Sequence, residues 1–266
     1  MDITAILPLS SFFLSIPPTH PVVNENSGTR AVCVVYCLYH SKRRPAVRPH
    51  LPLSAATAAF LAAESCLYLL FLTLDLLNRQ ANTDGLKYCG ILLCLLMALL
   101  CALRGGDKLV VPALLLTAAA DWFLLLQKRD LAVGVAIFLC VQTVYLIRLR
   151  LMGAPQALWP RGGLALLAGL ALYGLKMATP LTLLASLYFS QLLSNTLLAW
   201  TTPNRRFAIG LTLFVGCDIC VGLVNSPLLS GGPHRLVSLG MWLFYLPSQV
   251  LIVLSALPKE VSHEEK

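Results

Sequence analysis

From Leu53 to Leu257 the chain alternates apolar runs of helical length with short polar links. The runs fall near 54–77, 88–103, 109–126, 131–147, 162–178, 180–200, 207–224 and 237–257. Breakers mark the links: Arg104 to Lys108, Gln127 to Asp130, Pro155 to Gly163, Pro180, Thr201 to Arg206, and Pro227 to Pro233. A helix needs about 20 predominantly apolar residues to cross hydrocarbon. The pattern therefore predicts an all-α fold, a polytopic membrane bundle of about eight transmembrane helices in a single domain over residues 54–257.

Residues 1–53 differ from this pattern. They carry Pro17, Pro18, Pro45, Pro49 and Pro52 and the basic run Lys42, Arg43 and Arg44, and their apolar stretches at Ile3–Ile16 and Ala31–Tyr39 are too short to span. No positive segment precedes the first stretch, so a secretory signal is not read there. The expectation is a basic, Pro-containing, poorly ordered leader, with a polar tail at 258–266.

Composition supports a membrane and excludes an ordinary soluble domain. The 266 residues are 58% hydrophobic and only 12% charged, against about 25% charged in a typical soluble domain. The net charge of +8 sits singly or in pairs in the links rather than on one face, so no nucleic-acid partner is expected. Most Lys and Arg lie in the leader, the second, fourth and sixth links and the tail, an excess that predicts both termini in the cytoplasm. The nine cysteines lie mostly within apolar runs, where a thiol behaves as a small hydrophobe.

An ionisable residue inside a span is costly and marks a functional candidate facing the bundle interior. Glu64, Lys87, Asp121 and Asp218 qualify, whereas Asp75 lies near a span end and reads as interfacial. With helices three and seven running outward, Asp121 and Asp218 both lie about 8–9 Å below the outer surface. Lys87 opens helix two on the same side. For Lys87 alone, the simpler reading is a side chain that snorkels to the interface. Two buried Asp residues on separate helices each demand a partner, and an interior polar site containing both is the better explanation.

The polar positions carry a family resemblance. Leu114 to Leu126, with Asp121 closing a stretch of small residues, is followed by Gly134, Phe138, Gln142 and Tyr145 on the next helix. Phe214 to Asp218 precedes Tyr245 to Leu257, and Leu86 to Cys94 carries Lys87. In this order the chain resembles the lysoplasmalogenase (YhhN-like) family of eight-span membrane proteins. It departs from the family pattern at Ala120, where Gly is usual, at Cys217, where Ser is common, and at Gln142, where helix four usually offers His. Gln can hydrogen-bond but cannot transfer a proton as His can.

The resemblance implies hydrolysis of the vinyl-ether bond of a lysoplasmalogen, a lysophospholipid, to a fatty aldehyde and a glycerophospho-ethanolamine or -choline. A vinyl ether resists hydroxide and yields to acid, because protonating its outer carbon creates an oxocarbenium ion that water captures. Such a site needs one proton donor and one anion, roles that two carboxyls in unlike surroundings divide in glycoside hydrolysis. Asp121 and Asp218 are the expected catalytic pair, with the roles open between them and Lys87 as a partner for one. Gln142, Tyr145, Tyr188, Asn195, Tyr245 and Gln249 are expected to complete the polar cavity, although each also suits plain helix packing. The lipid headgroup is expected near Lys87.

The rival reading is a transporter or flippase that uses the buried carboxyls for proton coupling. Cys217 and Cys220 lack the further ligands that a zinc site needs, and no phosphate loop, nucleophile elbow or His-Glu metal motif is present in the sequence. No metal or cofactor is expected.

Overall fold

A computed structural model of the chain describes residues 53–77, 82–128, 130–155, 159–225 and 232–258, all within one compact unit. The leader and tail read from sequence lie outside the described residues, apart from Leu53 and Pro258. The described residues form eight helices and no strand: α1 Leu53–Leu77, α2 Asp84–Leu103, α3 Val110–Asp121, α4 Leu131–Leu151, α5 Trp159–Gly174, α6 Pro180–Ala199, α7 Arg205–Val224 and α8 Gly232–Leu254. All but α5 are long and apolar enough to cross a membrane, counting α3 with its continuation to Gln127. The protein is a polytopic helical membrane bundle.

The helix α5 differs from its expected extent. It has 16 residues, or about 24 Å of rise against about 30 Å of hydrocarbon. The run expected to reach residue 178 ends at Gly174, and Lys176 turns the chain through a left-handed φ of 57°. Pro180, at the first position of α6, then starts a new helix under a reciprocal cap between Thr179 and Thr182.

Two other helices depart from regular winding. After Asp121, α3 continues as a π-helix over Trp122–Gln127, stopped by Lys128 at φ 53°. In α8, Pro247 lies inside the helix and has no N–H to donate one turn back. Residues of the polar cluster described below, Asp121 and Tyr245, lie next to these irregular segments, and π-helical insertions occur frequently at functional sites.

In the packing order, α2, α3, α4, α6, α7 and α8 are successive neighbours, and α8 returns to α2. Outside this ring, α1 packs on α2 and α8, and α5 packs on α6. The α7–α8 pair is the most extensive, and small residues allow the approach. A Cβ added to Gly210 would lie 3.0 Å from Ile252 Cγ1, and one on Gly216 would lie 3.3 Å from the Phe244 ring. Without a hydrophobic driving force between helices in lipid, such close packing is a main source of association.

One buried cation ties the ring together at the face bearing the α2–α3, α4–α5 and α6–α7 links, called here the basic face. Arg148, 1% exposed on α4, donates from Nε to Asp107 Oδ2 at 2.7 Å. It also donates to Ser255 Oγ at 2.9 Å and to the Ser255 carbonyl at 3.1 Å, just past α8. Its guanidinium stacks 4.1 Å from the Phe207 ring centre on α7. Three elements thus meet on one side chain, and removing a partner from a buried pair costs about 3 kcal/mol or more. Arg148→Met is expected to lower stability by that order in detergent unfolding. Unchanged unfolding would show that the pair carries none of the packing.

Candidate functional site

The polar residues singled out from sequence occupy several helices of the ring. On α4 the buried side chains Phe138, Gln142, Tyr145 and Leu149 recur at helical spacing along one stripe. On α6, Tyr188 and Asn195 are buried two turns apart, with Gln191 between them on the same stripe. Asp121 comes from α3, Asp218 from α7, and Tyr245 and Gln249 from α8.

Asp121 is 2% exposed, and Tyr245 donates its phenolic proton to Asp121 Oδ2 at 2.6 Å. This contact joins α3 to α8 across the ring. Asp218 is half-buried, and its enclosed Oδ2 has no hydrogen-bond partner among the described residues. The Tyr188 hydroxyl faces the Asp218 carboxyl within hydrogen-bonding range, short of an aligned hydrogen bond. Cys217 lies within electrostatic reach of both carboxyls, and Tyr245 within reach of Tyr188. The two carboxyls and two phenols therefore belong to one cluster.

Aromatic rings frame that cluster. Phe138 contacts Tyr188 at 5.9 Å between ring centres and Phe214 at 5.7 Å, and Phe214 contacts Tyr245 at 5.6 Å. Trp242 then meets Tyr245 at 5.5 Å. Tyr188 and Tyr245, the two phenols that face the carboxyls, thus belong to one run of ring contacts.

Lys87 is committed elsewhere. Its ammonium pairs with Asp75 Oδ2 at 2.7 Å and lies 4.9 Å from the Trp242 ring centre, and Thr83 donates to the other Asp75 oxygen at 2.6 Å. Asp75, read as interfacial, is the counter-ion of Lys87, so the expected pairing of Lys87 with a catalytic carboxyl is corrected. Their meeting depends on the α1–α2 contact, which the spacing of runs does not specify.

Towards the basic face, Gln142 accepts from Asn195 Nδ2 at 2.9 Å through its side chain and at 2.8 Å through its carbonyl. Asn195 Oδ1 in turn accepts from Arg161 at 2.8 Å, and Gln191 Oε1 accepts from the same guanidinium at 2.9 Å. Tyr145 is fully buried, with its hydroxyl beside Thr117 but without an aligned hydrogen bond among the described residues. Gln249 is also fully buried, and neither of its amide atoms has a partner there. Glu64, 3% exposed, accepts from Cys94 Sγ at 3.3 Å beside Gly90, away from the paired carboxyls. No group of three or more metal-ligating side chains occurs among the described residues.

A family model described as the YhhN family matches residues 83–256. The chain belongs to the YhhN family. The match runs from the approach to α2 to the end of α8 and takes in both Asp121 and Asp218. In this YhhN-family protein, α1 precedes the matched region, so Glu64 and Asp75 are contributed from outside it. No curated protein and no solved structure matches the chain.

Sequence reasoning missed several members of this arrangement. Arg161 was counted only as a link charge, and Gln191, Phe138, Phe214 and Trp242 carried no expected role at the site. The spacing of Tyr188, Gln191 and Asn195 is the signal that would have found the stripe, because i, i+3 and i+7 share a helix face. Tyr245→Phe keeps the ring and removes the donor to Asp121. It is expected to cost about 1 kcal/mol in detergent unfolding, and equal stability would show that the bond does not form in the membrane protein.

Proposed function

We propose that the protein hydrolyses the vinyl-ether bond of lysoplasmalogens, using Asp121 and Asp218 as the reacting carboxyls. The observation that carries this reading is the gathering of the two carboxyls, from α3 and α7, into one aromatic-framed cluster with Tyr245 and Tyr188. Membership of the YhhN family supports the same reaction class.

The two surroundings divide the roles. Asp121 receives a hydrogen bond from Tyr245, which suits a carboxylate that faces a developing cation. The acid is assigned to Asp218, whose enclosed Oδ2 has no aligned donor among the described residues although the Tyr188 hydroxyl faces the carboxyl. Asp218 gives its proton to the outer vinyl carbon, and the C=C electron pair forms the new C–H bond. The resulting oxocarbenium ion lies against the Asp121 carboxylate, which takes a proton from the water that adds to the cationic carbon. In the hemiacetal, the hydroxyl proton passes to Asp218 as the C=O bond forms. The C–O bond to glycerol breaks, and Asp121 returns its proton to the departing oxygen. Both carboxyls end in their starting states.

The single hydrocarbon chain is assigned to an apolar recess on the bundle surface. A recess of about 310 Å³ between α2 and α3 is lined by Tyr88, Leu92, Leu95, Leu115, Ala118 and Trp122, among others. Trp122, the residue after Asp121, lines this recess, and the hydrocarbon chain is seated there with its first carbons towards Asp121. The Lys87 charge is met by Asp75, and headgroup recognition is therefore not assigned to it. The basic face, with Arg104, Arg148, Arg205 and Arg206 at its links, is proposed to be cytoplasmic.

Purified protein given alkenyl lysophospholipid is expected to release aldehyde while leaving the ester-linked lysolipid intact. Asp121→Asn and Asp218→Asn, each folded as the parent, are expected to lower the rate by about 10²–10⁴-fold. In heavy water the aldehyde should carry one deuterium next to its carbonyl, the mark of protonation at carbon. Full activity in both variants would end this reading.

A further inference from the structure

Arg161 is a buried cation without an acid. It enters from the first turn of α5 and is 3% exposed, yet no carboxylate pairs with it among the described residues. Its two terminal nitrogens are held by neutral oxygens, Gln191 Oε1 and Asn195 Oδ1, and its Nε–H has no partner there. The guanidinium of Arg150, at the end of α4, lies within electrostatic reach, and its Nε is likewise enclosed and unpartnered. Two like charges therefore lie within reach of each other, each with a free Nε–H and no counter-ion among the described residues. Buried charges are normally paired, because the cost of removing them from water is otherwise unrecovered. Arg148, two residues away, shows the alternative, since Asp107 and Ser255 take up its donors.

We infer that Arg161 and Arg150 form the seat of a phosphate carried by a lysolipid headgroup. Guanidinium forks suit phosphate oxygens, and the paired positive charge suits a group that remains anionic at neutral pH. Gln191 and Asn195 fix the fork by its outer nitrogens, which leaves the Nε edge of Arg161 to the anion. Asn195 is itself held by Gln142, so the seat is braced from the ring interior. The position at the basic face is where a headgroup meets water. Tyr188, beside Asp218, and Asn195, beside Arg161, are separated by two helical turns, about 10 Å. One glycerophospholipid can span that separation, with its phosphate at the arginines and the first carbons of its chain at the carboxyls. That this lipid is the one cleaved rests on the function proposed above; the phosphate seat itself does not.

The test is equilibrium binding to the full chain in a maltoside micelle, with ester-linked lysophosphatidylethanolamine as a probe that lacks the vinyl ether. Arg161→Gln and Arg150→Gln are each expected to weaken its binding about tenfold or more. Binding of 1-alkenylglycerol, which has no phosphate, should be the same in both variants and the parent. Arg150→Gln keeps the test decisive if Arg161→Gln fails to fold, because Arg150 donates no side-chain hydrogen bond to Gln191 or Asn195 among the described residues. Lysolipid binding as tight as the parent's in a folded variant would overturn the seat. Competition by inorganic phosphate as effective as by the lysolipid would overturn the lipid source. If alkenyl lysophospholipid is hydrolysed, the same variants should raise its KM by a similar factor with kcat within about threefold, and leave kcat/KM for 1-alkenylglycerol unchanged. Loss of binding with no hydrolysis by the parent would sink the proposed reaction and leave the seat intact.

Discussion

Hydrocarbon offers no hydrogen bonds, so each polar group carried into the bilayer must find its partner inside the bundle. The arrangement of this protein follows from that constraint. Its apolar surface provides little direction, since lipid chains are as apolar as the side chains that face them. Direction comes instead from a few polar contacts that each join separate helices. Arg148 gathers Asp107, Ser255 and the Phe207 ring at the basic face. Lys87 and Asp75 join α1 to α2, and Asp121 and Tyr245 join α3 to α8.

These contacts differ in how fully they are satisfied, and the difference separates structure from chemistry. Around Arg148 and Lys87 each charge meets an opposite charge and further donors or acceptors, as expected of packing devices. Around Asp218, Ser248 and Gln249 the account does not close, and several enclosed polar atoms have no aligned partner among the described residues. Such groups are costly to retain where they serve only packing. Several of them lie on α4, α6, α7 and α8, which marks that region as the candidate site.

The irregular helices fit the same division. The π-helical stretch after Asp121 and Pro247 two residues beyond Tyr245 both interrupt regular backbone bonding next to the Asp121–Tyr245 contact. The shortness of α5 brings its first turn, with Arg161, against the polar stripe of α6. A helix that need not traverse the full hydrocarbon thickness can place an arginine near the headgroup layer, where a charge costs less than at mid-membrane.

The sequence by itself determined the membrane and the eight helices, and it singled out two Asp residues inside them. Each of these follows from local quantities, namely the length of apolar runs, the position of breakers and the cost of a charge within a run. Even there, the end of α5 escaped, because the apolar residues after Gly174 continue past the point where the backbone turns. Tertiary structure decided which polar groups meet. Lys87 could have served Asp75, Asp121 or Asp218 on spacing alone, and only the contact of α1 with α2 assigns it to Asp75. Arg161 read as one more positive link residue until α5 and α6 came together and left it beside amides rather than an acid. Pairing across helices depends on rotation and depth within the bundle, and a uniformly apolar run records neither.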